Sequence, residues 1–66
     1  MRKRKVDATN VASYIIDYET GYLNEENVIA LFQYLLDSGL AWTLQGMYGR
    51  RTMELLKEGY LIKRSV

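Results

Sequence analysis

The segment NEENVIALFQYLLDSGL, residues 24–40, decides the fold. Wound at 100° per residue, Val28, Ile29, Leu31, Phe32, Leu35 and Leu36 fall on one arc of about 160°, and Ala30, Gln33 and Asp37 lie outside it. Asn24 is a good N-cap, Glu25 and Glu26 sit where the helix dipole favours anions, and Leu23 can staple onto Val28. Gly39 supplies the left-handed stop. A helix with so wide an apolar face, bounded so clearly at both ends, is the central element of an all-α domain.

The flanking segments follow the same logic. Val11, Tyr14, Ile15 and Tyr18, widened by Ala12 and Ile16, have helical spacing, so a first helix is expected from after Asp7 to Gly21. A third helix is expected from about Gly49 or Arg50 to Glu58, with Met53 and Leu56 facing in and Leu55 beside them. The chain has no proline, and glycine supplies its strong punctuation. Gly21, Gly39, Gly46 and Gly59 each stand between a polar and an apolar residue, the pattern of a helix or turn terminator. The expected fold is therefore a small bundle of three helices, with a short turn or extra helical turn between the second and third. Residues 1–6 read as a basic disordered arm, 7–61 as one domain and 62–66 as a tail.

Sixty-six residues hold one core. A chain this short gains only about 3–5 kcal/mol from its core and has no disulfide to add to it, which suggests support from a partner or a second copy. It contains no histidine and no cysteine, so Ser-His-Asp and Cys-His nucleophile systems and the usual zinc ligands are excluded. No catalytic group, metal site or cofactor is expected. No apolar run reaches the roughly 20 residues of a membrane span, nor does the start resemble a signal peptide, so the expected location is the cytoplasm.

Net charge is +1, yet the charges are segregated. Residues 1–5 carry four positive charges, 6–49 six negative ones, and 50–66 a net of three positive. This layout bears on partners rather than on fold.

The segment Ser38 to Arg51 holds the only tryptophan. The reading adopted is that Leu40, Trp42 and Leu44 fold back to cap the helix pair, while Gln45 with Gly39, Gly46 and Gly49 satisfies and tightens the backbone. An indole so placed shields about 150–250 Å², and its loss costs roughly 3–5 kcal/mol. Tyr48, Arg50 and Arg51 are then presented on a stiff surface loop and, with Tyr34 just off the core arc, form the expected partner-binding set. A nucleic-acid surface built from Arg2, Lys3, Arg4, Lys5, Arg50, Arg51, Lys63 and Arg64, with an anion site in the Gly46–Arg51 loop, is the alternative. A helix-turn-helix fits poorly, because its turn is only about 3–4 residues long.

The block Asp37 to Arg50, led by Leu31-Phe32-Gln33 and followed by Leu55 to Tyr60, resembles a family of short, functionally uncharacterised proteins found mainly in bacteriophages. The family pattern runs aspartate-x-glycine-leucine-alanine-tryptophan-x-leucine-glutamine-glycine-x-tyrosine-glycine-arginine, and the acidic lead-in Asp17 to Val28 is also similar. Thr43 stands where the family has glutamine, and Met47 where it has histidine or serine. The resemblance implies a phage accessory protein of the host bacterial cytoplasm and assigns no activity. The combined expectation is a non-enzymatic protein that binds a host macromolecule, most simply a host protein, and modulates a host process or defence. Self-association into a homo-oligomer is compatible with it.

Overall fold

A computed structural model of the chain describes residues 6–44 and 46–63. It contains α1 (Val11–Thr20), α2 (Glu25–Ser38), a 3-10 turn (Leu40–Trp42) and α3 (Gly46–Lys57). No strand occurs among the described residues, and the fold is the small all-α bundle expected from the sequence.

Helix α2 is the hub. Asn24 Oδ1 accepts a hydrogen bond from Asn27 N at 2.9 Å, and Gly39, at φ 83°, ends the helix by donating to Leu36 O. Its innermost residues, Leu31, Phe32 and Leu35, have no exposed surface, while Val28, Ile29 and Leu36 form half-buried shoulders. All three other elements pack against it. Between α1 and α3 there is no such packing among the described residues; side chains alone make that join.

Helix α1 is preceded by a reciprocal turn. The Asp7 carboxylate accepts from the backbone of Thr9 and Asn10, and Asn10 Oδ1 accepts from Asp7 N. Asp7 O accepts from Val11 N at 2.9 Å, but residues 8–10 form a turn. The helix proper starts at Val11 with Asn10 in the cap position, three residues later than the sequence reading placed it. Its buried stripe is narrower than expected: Tyr14 is buried, Val11, Ile15 and Tyr18 are half-buried, and Ala12 and Ile16 face solvent. The reason is that α1 packs on one neighbouring helix, which covers a stripe rather than a broad face.

Three expectations need correction. Helix α3 begins at Gly46, about one turn earlier than expected, so Gly46 is an ordinary helical residue; only Gly21, Gly39 and Gly59 adopt positive φ. Its phase is also different: Leu55 is buried, Leu56 half-buried and Met53 largely exposed. Lastly, Val6 is a core residue, so the folded unit takes in a position assigned to the arm. Arg2, Lys3, Arg4, Lys5, Gln45 and Arg64 lie outside the described residues.

At the other end, Leu61 is buried and Gln33 clamps the next residue. Gln33 Nε2 donates to Ile62 O and Gln33 Oε1 accepts from Ile62 N, each at 2.9 Å. The residue expected on the solvent side of α2 is therefore what docks the tail.

Leu35→Ala removes a fully enclosed side chain from the hub. It is expected to cost about 2–5 kcal/mol, enough to leave the domain largely unfolded, as urea denaturation followed by circular dichroism will show.

Candidate functional site

The 3-10 turn explains where the tryptophan goes. With three residues per turn, successive side chains diverge by about 120°, so only one of the three can face the seam between α2 and α3. That residue is Ala41, which is 1% exposed. Helix α3 closes on it at Gly49: a Cβ built there would lie 3.4 Å from Ala41 O and 3.5 Å from Trp42 Cε3. The backbones thus seal the seam themselves, and the indole lies across the outside, 54% exposed. The expectation that Trp42 plugs the bundle is overturned. Gly49 lies inside a helix, with the Ala41 carbonyl and the indole as its nearest neighbours.

The plug is Tyr48, which was expected on the surface and is 3% exposed. Its ring stacks on Phe32 with centroids 6.0 Å apart and lies 5.9 Å from Tyr18, which meets Phe32 edge-on at 5.2 Å. The Tyr48 hydroxyl donates to Glu19 Oε2 at 2.5 Å, joining α3 to α1. Thr52, fully buried, donates its hydroxyl back to Tyr48 O at 2.7 Å, so its polarity is satisfied within the helix. Tyr48, Thr52 and Leu55 have the i, i+4, i+7 spacing of a buried face. The sequence signal was present, but starting the helix at Gly49 hid it.

Arg50 and Arg51 were expected to act together and do not. Arg51 pairs with Glu54 at 3.1 Å and lines a cleft with Glu25, Glu58 and Tyr60. Arg50 turns the other way, into a second cleft. Neither sits at the start of a helix, since α3 already runs through both, so the anion-binding loop expected over Gly46–Arg51 is absent. Tyr34 is half-buried and packs against the core.

The Arg50 cleft is the surface that stands out. Leu36, Trp42, Met53 and Leu56 make it apolar, and Arg50, Lys57 and Lys63 give it three cations. Within 4.0 Å, no carboxylate pairs with any of these three among the described residues. Glu54 also lines the cleft, but its Oε1 is engaged by Arg51. Met53 is 56% exposed beside the open indole. Of the expected binding residues, Arg50 and Lys63 are here; Trp42, Met53, Lys57 and Leu36 are the residues whose role in a surface the sequence did not reveal.

A family profile described as a domain of unknown function, DUF7417, matches residues 5–66. The chain belongs to the DUF7417 family. No curated protein and no solved structure matches it. The DUF7417 match takes in the whole described fold, from Val6 in the core to the clamped Ile62. In this DUF7417 chain no helix is long and apolar enough to cross a membrane, and no three potential ligands converge on a metal position, both among the described residues.

Two variants separate core from surface. Burial, and then the hydrogen bond to Glu19, push the Tyr48 phenol well above its ordinary value of 10.0. Above pH 10 the unfolded chain releases this proton and the folded chain keeps it, so the contribution of Tyr48 is complete below that pH and falls as pH rises further. Tyr48→Phe is expected to cost about 1–2 kcal/mol near neutrality and to flatten the alkaline loss, as paired denaturation curves across pH will show. By contrast, Trp42→Ala is expected to cost roughly 1–2 kcal/mol, because only part of the ring leaves water on folding, and to keep the helical circular dichroism.

Proposed function

We propose that this chain is a small non-enzymatic accessory protein of the bacteriophage type that binds a host protein in the bacterial cytoplasm and so modulates a host process or defence. The phage attribution rests on the sequence resemblance. The binding attribution rests on one observation: Trp42 and Met53, each more than half exposed, share a cleft with Leu36 and Leu56. A domain this small exposes two large apolar side chains in one place at a cost in solubility, and contiguous patches of that kind mark interaction surfaces. Aromatic residues, methionine and arginine are the types enriched where proteins meet. The absence of histidine and cysteine supports the non-enzymatic part.

Nucleic-acid binding is the second reading, and the observation in its favour is that Arg50, Lys57 and Lys63 surround an indole on which a base could stack. Against it stand the aliphatic floor and the carboxylate of Glu54, since nucleic-acid interfaces are markedly more polar and more positive than this one.

The test is retention of host proteins by the tagged chain expressed in bacteria, with nuclease present throughout. Trp42→Glu and Met53→Glu are compared with Tyr22→Glu, which alters an exposed residue outside the cleft. A host protein held by the wild type and by Tyr22→Glu, but lost from both cleft variants, is the expected result. Identical retention by all four proteins, or retention that nuclease abolishes, overturns the reading.

A further inference from the structure

Resting on the reading that the Trp42 cleft receives a protein, we infer that its occupant is an acidic amphipathic segment, in which aspartate or glutamate alternates with aliphatic or aromatic anchors. Charge placement carries this. Arg50, Met53, Glu54 and Lys57 lie along one face of α3, at spacings of three, one and three residues. Such a face could neutralise itself, because Glu54 is positioned one turn from Arg50 and from Lys57. It does not do so: Glu54 Oε1 reaches Arg51 at 3.1 Å, on the side of the other cleft.

Lys63 joins the same rim from the tail, held near α2 by the Gln33 bonds to Ile62. Three cations from two parts of the chain therefore converge around an apolar floor with no carboxylate partner among the described residues. Like charges gathered at the rim of one cleft repel one another and are relieved by anions from outside. The floor of Leu36 and Leu56, walled by Trp42 and Met53, requires apolar anchors on the same occupant. A polyphosphate meets the cations but leaves the floor unfilled, and a neutral apolar helix does the reverse.

Trp42 makes the cleft observable, since it is the only tryptophan and is open to water, so its emission reports occupancy. Displayed peptides of random sequence are selected on the full chain at physiological ionic strength, and the winners are titrated against it by Trp42 fluorescence. The expected winners are net acidic with interspersed apolar residues. They should shift the emission to the blue and lose about tenfold in affinity to Lys57→Glu or Lys63→Glu. Arg50→Gln, which introduces no new charge, should weaken them in the same direction, and circular dichroism checks that each variant is folded.

Winners that are neutral or basic, no winners at all, or affinities indifferent to these substitutions overturn the inference. So does a blue shift caused by oligodeoxythymidine but not by peptides, which points to nucleic acid, or one that grows with protein concentration alone, which points to a second copy. If selection fails while the cleft-dependent host protein is still retained, the proposed function stands and only the chemistry assigned to the partner falls.

Discussion

The hydrogen bond from Tyr48 to Glu19 ties together two helices whose backbones do not pack on each other. Around it, Tyr18 and Tyr48 close over Phe32, so the ring cluster presents one residue from each helix. Helix α2 gains its neighbours by ordinary apolar burial, whereas α1 reaches α3 through this hydroxyl, its carboxylate and the touching rings. The rest of the arrangement depends on that join. With Tyr48 turned inward, the phase of α3 is fixed, and Thr52 and Leu55 follow it into the core. The same rotation carries Met53 outward.

The surface is thus a by-product of how the seam is sealed. Ala41 fills the seam between the 3-10 turn and α3, and the indole lies over Gly49 at its edge. A large apolar side chain displaced from a seam has to lie on one of its lips. Trp42 does so beside Met53, and Leu36 and Leu56 form the floor beneath. Tight packing inside and an apolar cleft outside are two effects of one choice of small residues.

Helix α2 was legible from sequence because its signals are local: a cap at Asn24, a stop at Gly39 and a continuous apolar arc between them. Helix α3 was less so. Gly46 read as a terminator and Gly49 as a helix start, yet both lie within α3, and once the start was misplaced the inward residues were assigned to the wrong face. Thr52 in the core was likewise hidden, since a hydroxyl satisfied by the carbonyl four residues earlier leaves no trace in a hydropathy pattern. Of the candidate site, Arg50 and Lys63 were visible as cations. That they share a cleft with Leu36, Trp42 and Met53 was not, because those residues come from separate elements and only packing joins them. The size of Trp42 argued for burial, and nothing local revealed that Ala41 would take the inward position of the turn.

The Gln33 clamp has a temporal consequence. It spans 29 residues, the same separation as the bond from Tyr48 to Glu19. Closing a chain segment of that length is entropically unfavourable until something else holds its ends near each other, whereas each helix is wound from contacts three or four residues apart. Gln33 offers a fixed amide to Ile62 only after α2 has formed, and a single amide cannot reward a long closure by itself. Both long closures therefore join elements that local contacts have to wind beforehand, and an unwound α2 presents no fixed amide for the tail to meet.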